Sequence, residues 1–279
     1  MNDSIRSDRV RQLVVTASAV FLIVGTLFGI GVFGTRVEET AGGSLSATAT
    51  LLAPAVRAFS IWSVIYAGLI AYVVWQWLPA NTASPRARAI GWLASASMVL
   101  NAAWLLVTQV SWLWASVAII VALAVTLGVL MQRLSGTRAG EGSSSGAGAV
   151  GWVERVVVDG TFGLYLGWVS VATAANITAT LVASGVNPGG TVSEIIAVAV
   201  LAVAAGIGVL LAREFGGRIG VAAAMAWGLS WIAVGRFAGE PNSALTGIAA
   251  ALAALVVIAA ALIWARRGPV PLAQARSAS

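Results

Sequence analysis

The chain has 279 residues, 59% of them hydrophobic and 9% charged, with a formal net charge of +6, too little charge to solvate a water-soluble domain of that size. It contains no cysteine, histidine or lysine, which excludes disulfides, thiolate or imidazole metal and haem ligation, and a histidine general base. Its arginines fall in short loops between apolar stretches and not along one folded face, the pattern of membrane topology and not of a nucleic-acid surface.

A membrane-crossing helix needs about 20 apolar residues. The first candidate covers residues 13–34, behind Arg6, Arg9 and Arg11. It is longer than the roughly 7–15 apolar residues of a signal-peptide core and has no prompt small-residue cleavage site, so it reads as an uncleaved first helix. Further spans follow at 58–78, 89–110, 112–132, 157–183, 193–212, 219–237 and 244–265. All seven prolines lie outside these spans or at their edges, as helix breakers should. The predicted fold is all-α, a polytopic membrane bundle of about eight transmembrane helices.

Eight spans put both termini on one side, with the loops near 79–88, 133–156 and 213–218. Thirteen arginines fall on that side, and only Arg36, Arg57 and Arg236 on the other. Positively charged loops stay cytoplasmic, so both termini are predicted inside, in a bacterial inner membrane. Between the first two spans, residues 35–57 form a sizeable outer loop, whose single proline and lack of tryptophan give no sign of an ordered lid. Residues 135–150, rich in Gly and Ser, read as a flexible cytoplasmic linker.

Three spans carry polar and aromatic stripes at helical spacing. Trp62 and Tyr66 share a face of the second span. Ser97, Asn101, Trp104 and Thr108 line one side of the third, and Tyr165, Trp168, Ala172 and Asn176 one side of the fifth. Given the direction of each span, most of these side chains lie in the outer half of the bilayer at similar depth, at about 1.5 Å per residue. They are predicted to line one cavity beneath the 35–57 loop, wherever those helices touch. The plainer alternative is that Asn101 and Asn176 hydrogen-bond helices together and the aromatic rings only pack. Trp75, Trp77, Trp92, Trp112, Trp114, Trp152 and Trp264 lie near span ends and read as an interfacial belt.

The segment Phe59-Ser60-Ile61-Trp62-Ser63-Val64-Ile65-Tyr66 resembles the F-P-x-x-W-x-x-L-Y signature of the TspO/MBR family, the tryptophan-rich sensory or translocator proteins. Here it is one residue shorter between Trp and Tyr. Leu100-Asn101-Ala102-Ala103-Trp104 resembles that family's L-N-x-x-W, and the run from Tyr165 to Asn176 its Y-L-x-W-x-x-x-A-T-x-L-N. Ser60, Leu164 and Ala175 depart from the family pattern. The resemblance covers residues 12–184. It implies a five-helix bundle over 1–184, followed by a three-helix transmembrane extension over 185–279. It also implies a pocket for porphyrins, sterols or other hydrophobic ligands, capped by the loop between helices 1 and 2. Trp62, Tyr66, Asn101, Trp104, Trp168, Ala172 and Asn176 would be its ligand-binding residues.

The leading functional reading is therefore a membrane-embedded binding or sensory protein for a small hydrophobic ligand, with the lipid bilayer as its other partner. No cofactor is required and no metal site or catalytic residue is indicated. A tetrapyrrole ligand would be metal-free, or a haem without strong axial ligation, and Arg57 or Arg236 would meet its carboxylates. The alternative is a secondary transporter or facilitator, against which stands the lack of a mid-membrane carboxylate. Gly25/Gly29 and Gly163/Gly167 are GxxxG pairs, used by default within the chain and otherwise for a homodimer.

Overall fold

Lipid offers backbone N–H and C=O groups no partner, so a chain this apolar satisfies them within its own helices. The computed structural model describes residues 2–137 and 147–267, and among these no strand forms. Of the linker read at 135–150, residues 138–146 lie outside the described residues, as does the chain beyond 267. Eight helices are long and apolar enough to cross a bilayer: α1 (Ser4–Gly29), α2 (Val56–Trp77), α3 (Pro85–Gln109), α4 (Leu113–Ser135), α5 (Gly151–Ala183), α6 (Gly190–Phe215), α7 (Ile219–Ala238) and α8 (Ala244–Arg267). The protein is a multi-pass membrane helix bundle.

The packing order differs from the chain order. α1 packs on α3, α3 on α4, α4 on α5, α5 on α7, α7 on α8 and α8 on α6, while α2 lies against α1 and α5. The last three helices thus join the first five through α7. α6 follows α5 in sequence yet packs chiefly on α8, which leaves room between α5 and α6.

Small residues make the closest seams. A Cβ added at Gly167 would lie 2.2 Å from the Val221 carbonyl oxygen, and one at Gly25 3.1 Å from the Ala102 Cα. Both GxxxG pairs are spent inside the chain, on α5–α7 and α1–α3.

The helix ends on the side of the N-terminus are cross-braced by charge. Arg86, 1% exposed, meets Asp159 at 2.7 Å and Glu154 at 3.4 Å, and Arg218 of α7 reaches the same Asp159. Asp8 of α1 takes Arg88 of α3 at 2.5 Å and Arg11 at 3.0 Å. Asp159 sits in a π-helical turn, Arg155–Gly160, within α5. Asp8, Glu154 and Asp159 are thereby committed to arginines.

Two sequence expectations are corrected. The first helix ends at Gly29 and not at 34, because Gly31 and Gly34 take φ of 79° and 89° and turn the chain out. There the Gln109 amide pairs with the Thr35 backbone, accepting at 3.1 Å and donating at 2.9 Å. Trp75 is not a belt residue. It is 4% exposed and stacks on Tyr72 at 5.9 Å, whereas Trp92, Trp112, Trp114 and Trp152 are each more than half exposed.

Candidate functional site

The stripes of α2, α3 and α5 converge toward the end of the bundle that carries the 35–57 loop. Trp62 stacks on Tyr66 at 5.2 Å and presents its edge to Tyr165 at 5.9 Å and Trp168 at 6.1 Å. Phe59, on the 3-10 turn that opens α2, stands edge-on to Trp168 at 5.8 Å. Such edge contacts are favourable beyond the area they bury.

The polar members of the stripes pair with one another across α3, α4 and α5. Asn101 Nδ2 donates to the Tyr165 hydroxyl at 2.8 Å, and that hydroxyl donates to the Ser97 carbonyl at 3.2 Å. Trp104 Nε1 donates to Asn176 Oδ1 at 2.7 Å, and Asn176 Nδ2 donates to Ser116 Oγ at 2.9 Å. Both asparagines therefore bond neighbouring helices. Two buried polar atoms in the cluster are left without a hydrogen-bond partner, Trp168 Nε1 and Asn101 Oδ1. Such orphans are rare in native interiors and usually await a water or a ligand atom.

Two small cavities adjoin this cluster, Trp168 lining both and Asn101 one of them. One, of about 30 Å³, is bounded by Phe59, Trp62, Asn101, Trp104, Trp168 and Ala172 together with α4 residues. The other, of about 50 Å³, is bounded below by Trp104, Trp168, Ala172 and Asn176 and above by loop residues Ser44–Ser46, Thr50, Ala53 and Pro54. Tyr66 stands behind Trp62 and borders neither cavity. Neither holds more than a water or two, whereas sites for drug-sized ligands measure about 300–1,000 Å³. Residues 44–54 of the loop thus cover the upper cavity.

The loop owes its order to α7. Arg236, 1% exposed, donates to the carbonyls of Thr50 at 3.0 Å, Ala47 at 3.1 Å, Pro241 at 2.9 Å and Glu240 at 3.2 Å. The Ala55 amide donates to the Trp231 carbonyl at 3.1 Å, and Trp227 Nε1 to the Ala58 carbonyl at 2.9 Å. Arg236 was expected to face a ligand carboxylate. Its four donated bonds go to backbone instead, and it works as a clamp. Arg57 is exposed at the start of α2 and lines neither cavity.

Sequence reasoning missed Ser116, Ile120 and Leu123 of α4, which carry no aromatic or amide signal. It also left Trp227 and Trp231 unused, although their i, i+4 spacing in the outer half of α7 marks a face.

A family model for TSPO-like proteins matches residues 10–264. The match runs past residue 184 through α6 and α7 and into the last turns of α8, so it takes in the helices read from sequence as an extension. Comparisons with curated proteins and with solved structures find no match.

Proposed function

The chain belongs to the TSPO-like family, and from that premise we propose that it binds a small hydrophobic ligand inside the bilayer and acts as a sensor or carrier of its presence. The cell membrane concerned is the bacterial inner membrane, with both termini in the cytoplasm. The ligand site is the cluster of Trp62, Asn101, Trp104, Trp168, Ala172 and Asn176, with Tyr66 supporting Trp62.

One observation carries the reading. Trp168 Nε1, a donor on a side chain 1% exposed, has no acceptor, and Trp168 lines a cavity walled by aromatic rings. A planar hydrophobic ligand with a hydrogen-bond acceptor suits it, the rings supplying stacking faces and the indole fixing orientation. Asn101 Oδ1 would take a donor from the same ligand.

Binding then takes a displacement of residues 44–54, which border the upper cavity. The ligand replaces the loop over Trp104 and Trp168, and the clamp from α7 sets how readily the loop leaves. A porphyrin bound here would be metal-free or weakly ligated, with tyrosine the only plausible axial donor.

The test is tryptophan quenching by protoporphyrin in detergent and in vesicles. Saturable quenching is expected, with affinity lowered about tenfold in Trp168→Phe, which keeps an aromatic ring and removes the donor, and unchanged in the belt variant Trp92→Ala. Quenching that never saturates, or that ignores Trp168→Phe, contradicts the reading.

A further inference from the structure

A third cavity lies outside the motif cluster, between α5 and α6, with a volume of about 910 Å³. It exists because α6 leans on α8 and stands away from α5, and it draws on α6, beyond the three helices that carry the motifs. We infer that it is a lipid site, taking the acyl portion of one membrane lipid whose headgroup carries an ammonium group. This inference does not rest on the proposed ligand site.

Shape argues first. The lining runs along α6 from Thr191 to Ile207, about 24 Å at 1.5 Å per residue, longer than the roughly 15 Å of one leaflet's hydrocarbon. Spread over that length, a volume of about 910 Å³ makes an elongated groove, a shape that suits extended alkyl chains. Ile196, Val203 and Ile207 line the cavity and are themselves 41–63% exposed, so the groove opens sideways into the bilayer and a lipid reaches it without crossing water.

Polarity argues next. Along its length the lining is mostly apolar, with Ile177 and Leu181 on α5 and Val200 and Val203 on α6, and the hydroxyls of Ser170, Thr173 and Thr178 donate to carbonyls of their own helix. At the outer end it turns polar, with Thr50, Asn187, Ser193, Glu194 and Asn242. Glu194 is the one ionisable residue of the lining, and Ser243 Oγ donates to its Oε1 at 2.5 Å, holding the carboxylate in place. A fixed negative charge at headgroup depth attracts an ammonium and repels an anionic head. Thirteen of the sixteen arginines, which would suit anionic lipid, lie toward the opposite ends.

The experiment is native mass spectrometry of the full chain extracted from vesicles of equal parts phosphatidylethanolamine and phosphatidylglycerol. The expected result is one phosphatidylethanolamine per chain retained under conditions that strip the rest, at least fivefold over phosphatidylglycerol. Glu194→Gln should abolish the preference, and Ala174→Phe, which fills the groove, should abolish retention. Val200→Phe serves in its place if that variant is not monodisperse. Trp168→Phe should leave lipid retention intact, which separates this site from the porphyrin test. Equal retention of both lipids by the native chain, retention indifferent to the filling variants, or a dimer in place of a lipid adduct overturns the inference.

Discussion

Trp104 and Asn176, 72 positions apart, are joined by a 2.7 Å hydrogen bond from the indole Nε1 to the carboxamide Oδ1. The bond links the α3 motif to the α5 motif where only side chains bridge the gap. Asn176→Leu breaks it and the bond to Ser116 together, leaving the buried indole donor and the serine without those partners. A loss of about 1–3 kcal/mol is expected, read as a lower unfolding temperature in detergent. Unchanged stability would mean that lipid or water replaces the bond without cost.

Arg236 holds the loop by four carbonyls. Arg236→Gln is expected to free residues 47–50 while leaving α7 helical. Because the chain has no native cysteine, a probe at Ser46→Cys reports loop opening directly. Thiol labelling at Ser46→Cys should be several-fold faster in the Arg236→Gln background. Equal rates would place the loop's order elsewhere.

Gly167 and Gly206 should respond with opposite signs. A Cβ at Gly167 meets the Val221 carbonyl at 2.2 Å, while one at Gly206 meets nothing within 4 Å. Gly167→Ala pushes α5 from α7 and is expected to cost about 1–3 kcal/mol. Gly206→Ala, on an open helix surface, should be neutral or stabilising by up to about 1 kcal/mol. Thermal unfolding of the pair checks both, and a tolerated Gly167→Ala would show that the α5–α7 seam is not tight.

Orientation is open to the same cysteine-free background. Ser46→Cys should label from outside intact cells, and Thr137→Cys, at the end of α4, only after permeabilisation. The reverse pattern would invert the topology read from the arginines.

The eight spans were legible because each is a continuous apolar run and the arginines report the parity of crossings independently. The aromatic and amide stripes were legible because helical spacing puts Asn101 with Trp104, and Trp168 with Asn176, on single faces whatever the partner helix. What periodicity does not encode stayed hidden. The clamp by Arg236 acts on backbone carbonyls of a distant loop, and any loop sequence would offer the same acceptors. The end of α1 at Gly29 was missed because Ile30, Val32 and Phe33 continue the apolar run after the helix has turned out. Trp75 and Trp92 both lie near span ends, and only the packing of α2 decides that one stacks on Tyr72 while the other faces lipid. The closure of the site was equally unreadable, since lining residues do not state how far apart they stand.

The central claim is that a ligand reaches the aromatic cluster by displacing the loop. A Cβ on Gly235 would lie 3.7 Å from the Ala55 Cβ, close to the roughly 3.8 Å of a disulfide. The pair Ala55→Cys and Gly235→Cys should therefore cross-link the loop to α7 in a protein with no other cysteine. Protoporphyrin titration of this variant, oxidised and then reduced, is the most direct measurement. The oxidised form should show no saturable tryptophan quenching, or association slowed at least tenfold, and reduction should restore it. Equal affinity and rate in both forms would mean that the ligand binds without moving the loop, and the cluster beneath it would not be the site.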